Sequence, residues 1–575
     1  LRKLFYILAI LLFAVDVWSA TYWVKGTGSG PNYVTYSSNS DSGCSTGDWT
    51  PTTDLEAVLT TIDDGNTVYL CDEIFTDDER DSDGILNFPK NQTIIGIGSA
   101  TLKMDDGGNL HRVARITGLN GLVLQNIIFD ANGDNQTAGY NYPCDISGAT
   151  QNLTITGCTF KNATDGALNE NTDAQQVGLH IGSAYGGTVN DLIQTSIFQN
   201  CGAWGIRVST NDDVITLDNN AVSDCSGGIT GVGTGSLQCD SLTISNNTVT
   251  GWIKAPCIKS TAFIGNDLVV TGNYCYTPAD EDVVGAVDDG YQMSFASAAT
   301  GFSFTNNRYE SNGADGDYGM VFNLVNGQAA TITDNYVFGA PCTCFYVTGG
   351  DGATITRNKL VGCGDDATCG ARDGIYLYIN TNQSNEPAEG HNIYGNVVDD
   401  CYGGARMAGL EAYDRPSGNK IVNNLFLNLT GIGLETIGYV DSDNIFKNNI
   451  ITLASGEYVN LATNGVFTAG YIDTNLYYGG DGSGDWTSAG SGYDTLVSWN
   501  GTTGHDGTNS QVIDPSLSGY CPDASDDPGV DLGAVTGISW QTDFYGKSPW
   551  NTIDIGACEY CIGNRGNTFY GIQMQ

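Results

Sequence analysis

Three sets of residues in this chain have the types and spacing to do chemistry. The first is cationic: His180 in "GLHIGS", Arg207 in "WGIRVST" and Lys259 in "PCIKST". His180 and Arg207 take the same place in an alternating apolar phrase, and Lys259 joins them if one residue of slack is allowed. A cation that neutralises a substrate carboxylate, beside a base that removes the proton on the adjacent carbon, is what β-elimination from a uronic acid requires. The second set is acidic: Glu411 in "GLEAYD" and Glu435 in "GIGLETI", with Asp414 nearby. Equivalent places on adjacent strands lie about 4.8 Å apart. Carboxylates about 5 Å apart suit a retaining glycosidase, one as nucleophile and one as acid/base. The third set is aromatic: Tyr346, Tyr376, Tyr378 and Tyr413, with Gln292 beside them, can stack on pyranose rings and bond hydroxyls. Against each set stands a plain alternative, unrelated polar residues on a solvated face of a very acidic protein.

A fourth cluster lies between Asp280 and Asp289. Asp280, Asp282, Asp288 and Asp289 are oxygen donors of the kind Ca²⁺ takes. Ca²⁺ is the one candidate ion, and a solvated acidic loop is the alternative. The four His, at 111, 180, 391 and 505, have no His-x-x-His spacing, so no structural zinc site is expected. No P-loop is present, and the Gly-rich stretches read as turns.

These residues need elements to hold them, and a recurring phrase supplies the elements. It is apolar-x-apolar-x-Asn-Asn-x-apolar, as in "SLTISNNTV" to Asn247, "GFSFTNNRY" to Asn307, "GATITRNKL" to Asn358 and "NKIVNNLFL" to Asn424. Asn273, Asn335, Asn396, Asn449 and Asn475 continue it, in steps of 26, 34, 28, 23, 38, 28, 25 and 26 residues from Asn247. Weaker copies reach back to Asn126, Cys158, Ser196 and Asn220. Each phrase alternates like a strand, and most steps leave no room for a helix. Stacked coils solve this: each strand pairs with its copy above and below, and the inward Ile, Leu, Val and Phe form one core. Asn suits the corner because it tolerates the left-handed region and its amide can bond the next Asn. Thirteen coils would stand roughly 60 Å tall.

A second strand recurs before each Asn phrase, and its outward positions form a lane along the stack. The lane carries the cationic, acidic and aromatic residues above, and also Thr230 and Asn323.

Charge excludes some partners. The net charge is −43, from 65 acidic and 22 basic residues, which argues against nucleic acid and anionic membranes. Residues Leu1 to Ala20 read as an export signal: Arg2 and Lys3, an apolar run from Leu4 to Val15 too short for a bilayer, and a small-residue exit. A secreted or extracellular location is expected, at the cell surface or in the periplasm, with no membrane insertion. The 17 Cys are odd in number, so at least one is left unpaired by intrachain bridges. Cys201 and Cys225, and Cys363 and Cys401, stand at equal places in neighbouring coils, either as disulfides or as a buried row. Cys558-x-x-Cys561 reads as a local disulfide or plain thiols.

Both ends carry a resemblance. "ATYWVKGTGSG" from Ala20 resembles the opening strand of many secreted bacterial β-helix proteins. The tail, with Asp514-Pro515 and Asp554-Ile555-Gly556-Ala557, is similar to their closing module, although "YCPDASDDPGVDLGA" replaces its middle phrase. The resemblance is to the pectate-lyase-like superfamily and covers nearly the whole chain after residue 20. It implies an all-β fold, a right-handed single-stranded parallel β-helix of about 13 coils with an N-terminal cap and a C-terminal closing module. The expected division is 1–20 signal, 21–110 cap and first coils, 111–478 β-helix, and 479–575 a Gly/Ser/Asp-rich linker with the closing module. "LEAVLTTI" is expected as a short capping helix. That superfamily holds polysaccharide lyases, glycoside hydrolases and adhesins, so fold does not choose among them. "CIKSTAFIGN" resembles the Lys-Ser…Asn phrase of alginate-type β-helix lyases, with Gln292 where their following coil carries Arg. Asp288-Asp289-Gly290 resembles the acid pairs of β-helix pectin hydrolases, whose Gly-His-Gly phrase is absent. The expected partner is a polysaccharide or cell-surface glycan, bound along the lane and cleaved by a lyase or hydrolase mechanism. The alternative is a non-catalytic adhesive protein.

Overall fold

The structure is a computed structural model. It describes residues 20–26, 34–38, 44, 49–76, 85–105, 112–133, 142–148, 150–164, 176–182, 190–209, 214–231, 239–251, 255–277, 289–311, 318–378, 388–410, 415–463, 467–480, 483–507, 510–518, 520–522 and 555–556. The export signal over 1–19, the metal candidates Asp280, Asp282 and Asp288, the acidic and aromatic candidates Glu411, Tyr413 and Asp414, and Cys558 and Cys561 lie outside the described residues.

Each coil begins with a strand whose alternate residues point inward. In Ser241–Ser245 these are Leu242 and Ile244, both buried. Parallel pairing puts copies in register, so Ile244, Val270, Phe304, Ile332, Ile355, Ile393, Ile421, Phe446 and Ile472 form one row through the stack. A second row runs through Phe129, Phe160 and Phe198, whose rings stack at 4.9 and 5.0 Å. The result is a parallel β-solenoid of about 12 turns, nearly all β. No helix among the described residues is long and apolar enough to cross a membrane.

The Asn-Asn corner divides its work between two residues. The first takes the left-handed region, as at Asn246 (φ 55°), Asn306 (φ 56°), Asn423 (φ 54°) and Asn448 (φ 56°). The second points inward and builds a ladder. The Asn335 backbone N–H and side-chain Nδ2 both donate to Asn358 Oδ1, at 2.9 Å each, and Nδ2 also donates to the Phe304 carbonyl at 3.0 Å. The same pattern runs from Asn220 to Asn475. Before it, the Cys158 N–H donates to Ser196 Oγ, and Ser196 donates its N–H to Asn220 Oδ1. Asn126 is not a ladder member: it holds the left-handed place (φ 55°), and Ile127 fills the inward one. A shorter ladder stands at another corner, where the His391 N–H donates to Asn419 Oδ1 and the Asn419 N–H to Asn444 Oδ1. His391 Nδ1 accepts from the Ala353 N–H and Nε2 faces the Gly349 carbonyl, so its tautomer is fixed. Burial pushes it down to about 4, a neutral structural histidine.

The expected short helix is present as Leu55–Thr61, capped by Asp54, whose carboxylate accepts from the Ala57 N–H at 2.7 Å. The stretch read as a linker from 479 is folded in part. Strand Trp486–Ser488 pairs in parallel with Glu457–Leu461, and helix Leu496–Thr503 buries Trp499. Trp486, Tyr458 and Tyr477 pack together there, an aromatic core that Gly-rich composition concealed. Of the two Cys stacks, Cys201 and Cys225 are in register as buried thiols. Cys363 bonds Cys344 and leaves Cys401 as a thiol. Cys44–Cys71, Cys257–Cys275 and Cys342–Cys369 are also disulfides.

Candidate functional site

In several coils the lane strand carries a short signature: Gly, an inward apolar residue, then the lane residue. It reads Gly178-Leu179-His180, Gly205-Ile206-Arg207, Gly228-Ile229-Thr230, Gly374-Ile375-Tyr376, Gly404-Ala405-Arg406 and Gly433-Leu434-Glu435. Strand pairing sets these residues side by side. The register runs Arg115, Asp145, His180, Arg207, Thr230, Lys259, Gln292, Val321, Tyr346, Tyr376, Arg406, Glu435 and Asn460. Lys259 therefore needs no slack. Asn323 lies in the next row, with Thr348 and Tyr378. Thr230, expected outward, is fully buried between Arg207 and Lys259.

The cationic end is partly withdrawn from water. His180 Nδ1 lies 2.9 Å from Asp145 Oδ1, and the other carboxylate oxygen of Asp145 lies 2.8 Å from Arg112 Nε. Burial alone would raise the Asp145 pKa. The hydrogen bond to His180 and the charges of Arg112, His180 and Arg115 outweigh burial and hold it below its usual value. Arg207 is half-buried, and desolvation lowers its pKa, offset in part by Tyr142. Desolvation also lowers that of Lys259, against the charge of buried Asp289. Among the described residues no carboxylate lies within 4.0 Å of the Lys259 ammonium. Asp289, the one metal candidate inside the described residues, thus faces a lysine.

The aromatic centre is contiguous. Tyr318 and Tyr346 have ring centroids 4.6 Å apart, Tyr346 and Tyr376 5.2 Å, and Tyr376 and Tyr378 5.5 Å. Burial raises the pKa of Tyr346, Tyr376 and Tyr378, so all three stay neutral phenols at ordinary pH.

The acidic end differs from expectation. The lane strand there is Gly403–Gly409, and Glu435 stands opposite Arg406, not Glu411. Arg406 is buried and bridges two carboxylates, Asp373 at 3.0 Å and Glu435 at 2.6 Å, while donating to the Gly370 carbonyl at 2.9 Å. Burial raises Asp373 to about 7, with Arg406 lowering it and Glu435 raising it. Arg406, Asp373, Asp145 and Arg115 are the residues that sequence reasoning missed. The Gly-x signature could have found Arg406, and the inward Cys144 and Ile146 on either side could have found Asp145.

No protein-family model matches this chain, and no curated protein does. Solved structures are similar to it in fold. The pectate lyase Pel9A matches over 94% of this chain and 96% of its own, at 14% identity and a TM-score of 0.28. The PL6-family polysaccharide lyase Pedsa3628 from Pseudopedobacter saltans matches over 88% and 99%, at 13% identity and a TM-score of 0.28. Tailspike protein 3 of bacteriophage CBA120 matches over 90% and 70%, at 12% identity and a TM-score of 0.32.

Proposed function

We propose that this is an exported protein that binds an anionic polysaccharide along the lane and cleaves it by β-elimination at the cationic end. The observation that carries this is the state of the cations. In a chain of net charge −43, Arg207 and Lys259 are desolvated, and Lys259 has no carboxylate within ion-pair distance among the described residues. A half-buried lysine with no ion pair within 4.0 Å among the described residues is costly even with the charge of Asp289 acting on it, and an anionic ligand would relieve that cost. The two stand two coils apart, about 10 Å at the strand spacing. That span suits carboxylates on different sugars of one chain. Arg207 would neutralise the carboxylate of the sugar that reacts, making the proton on its C5 removable, and Lys259 would hold a carboxylate further along. Tyr346 and Tyr378, which keep partial exposure, would carry the continuing sugars by stacking, with buried Tyr376 packed against both.

Glu435 supports hydrolysis less well, because Arg406 already engages it and Glu411 is not its register partner. The disulfides fit an oxidising, extracellular setting. Ca²⁺ is proposed only for the acidic segment around 280–289, where it would help an acidic protein hold an acidic polymer.

The test is a panel of polysaccharides with purified protein, with and without Ca²⁺, read by ultraviolet absorbance of unsaturated uronates and by reducing ends. Rising absorbance with a polyuronate is expected, and an Arg207→Ala, Lys259→Ala double variant should abolish it. Reducing ends without absorbance would replace the lyase reading with hydrolysis. Glycan binding without either signal would mean an adhesive protein.

A further inference from the structure

We propose that Asp145 is a positioning residue that fixes the His180 imidazole with Nδ1 protonated, leaving Nε2 as the atom that takes the proton from the substrate. This rests on the lyase reading above for its chemistry, though not for its geometry. Asp145 sits in register between Arg115 and His180, on the strand Tyr142–Ser147. Its two oxygens are committed separately, one to His180 Nδ1 at 2.9 Å and one to Arg112 Nε at 2.8 Å. A carboxylate so placed accepts, so Nδ1 must donate. Asp145 is nearly buried, at 7% side-chain exposure, while His180 keeps 21%. The carboxylate is thus sealed in, and the ring still reaches solvent.

The ring has little freedom. Tyr142 packs against it with centroids 5.6 Å apart. On the other side Gly182 makes room, since a Cβ there would lie 2.9 Å from His180 Cε1. The charged and titratable groups facing His180 are Asp145 and Tyr142 from its own neighbouring strand, Arg112 and Arg115 from the strand beyond, and Arg207 from the next coil. His180 and Arg207 are register partners, one strand spacing apart. Side chains on register partners can converge, so the two can reach one sugar's carboxylate and the proton on its adjacent C5. Lys259 lies three coils from His180, about 14 Å at the strand spacing, too far to act on the same carbon.

His180 Nε2 takes the proton from C5, and that electron pair forms the C4=C5 double bond. The C4–O4 bond breaks, and the leaving oxygen is protonated by water. Imidazolium formed on His180 is stabilised by the Asp145 carboxylate and returns its proton to solvent.

The experiment uses the full chain with His180→Ala, Asp145→Asn and wild type. Each is assayed on the polysaccharide that the panel identifies, alongside nitrogen-15 spectra of the labelled histidines without substrate. Four His are present, and His391 and His505 stay neutral because burial pushes both down to about 4. His180→Ala then assigns the His180 signal. The expected results are a fall in kcat of about 10²–10⁴-fold for His180→Ala. A smaller fall in kcat is expected for Asp145→Asn, with KM little changed. The neutral His180 ring should be the Nδ1–H tautomer in wild type and lose that preference in Asp145→Asn. Full lyase activity in His180→Ala would overturn the inference and leave the lyase reading standing. If the panel finds no lyase activity, that reading fails. An Nε2–H tautomer in wild type would then refute the positioning as well, and an Nδ1–H tautomer would uphold it.

Discussion

Asn335 offers a test of what holds the coils together. Its side chain makes four hydrogen bonds: Oδ1 accepts from the Asn307 N–H at 2.9 Å and from Asn307 Nδ2 at 3.2 Å, and Nδ2 donates to the Phe304 carbonyl at 3.0 Å and to Asn358 Oδ1 at 2.9 Å. Asn335→Ala removes all four. Asn307 Nδ2 keeps its bond to the Val270 carbonyl, and Asn358 Oδ1 keeps the Asn335 backbone N–H. The Asn307 N–H and the Phe304 carbonyl lose a partner inside the core, each at about 1–3 kcal/mol, so the loss is about 2–6 kcal/mol. Asn335→Ser should cost less, because a ladder serine accepts from the preceding N–H, as Ser196 does from Cys158 at 3.2 Å. Asn335→Asp separates donor from acceptor. An ionised Asp keeps the acceptor for Asn307 but turns a second oxygen toward Phe304 O and Asn358 Oδ1. Its folded pKa is therefore raised. The variant is nearest to wild type at low pH, where the protonated acid can donate, and falls behind as pH rises from the unfolded carboxylate range of about 4. Because each coil contacts only its neighbours, the damage is local. Hydrogen exchange by mass spectrometry should show lost protection around strands Gly301–Thr305 and Thr354–Thr356 and none around Asn190–Gln194. Equal losses for Ala and Ser, or a pH-independent gap between Asn335→Asp and wild type, would refute the ladder as the source of stability.

Two further outcomes follow from the lane. Asp373 is raised to about 7 by burial, so its folded carboxyl binds a proton more tightly than the unfolded one. Its effect on stability is therefore least costly below about pH 4 and grows up to about 7. The stability of Asp373→Asn relative to wild type should rise across that window and flatten above it, measured by denaturant unfolding at a series of pH values; a flat difference would show that Arg406 fully compensates. The Cys257–Cys275 disulfide closes a separation of 18 residues, two residues before Lys259. A Cys257→Ala, Cys275→Ala variant should lose about 3 kcal/mol by the loop-closure argument, and should weaken retention on a polyuronate column before it affects the Asp145 end of the lane.

Why some of this was legible and some was not comes down to how narrow each physical demand is. The ladder needs an acceptor and two donors on one short side chain, and Asn alone supplies them at most coils, so it could be read directly. The place before it needs only the left-handed region, which Gly157, Thr195, Asp334 and Arg357 also adopt here, so residue type alone does not tell Asn126 from a ladder asparagine. The lane was harder, because coils differ in length and register cannot be counted across a loop. At "GGARMAGLEAYD" two frames fit: one puts Arg406 on the lane, the other Glu411. Hydrophobic weight favours the second, since Leu410 is a stronger core residue than Ala405. The structure reverses this: Ala405 is 1% exposed and Leu410 53%. The Phe426 ring packs against Gly404, the residue before Ala405, where a Cβ would lie 2.8 Å from Phe426 Cδ1.

The same uncertainty hid Asp145. Its partner His180 is 35 residues away, and nothing in that interval marks the pairing. An acidic residue in a chain with 65 of them carries little information by type alone. What distinguishes Asp145 is its company: two arginines, a histidine and almost no water. The lane therefore cannot be judged by composition, which is overwhelmingly acidic, but only by which charges the coils withdraw from solvent and leave facing outward. On that criterion its two ends differ. Arg406 at one end is consumed by Asp373 and Glu435, whereas Lys259 at the other faces outward with no carboxylate at ion-pair distance among the described residues. A polyanion should seat first at the Arg207–Lys259 end, however negative the rest of the molecule is.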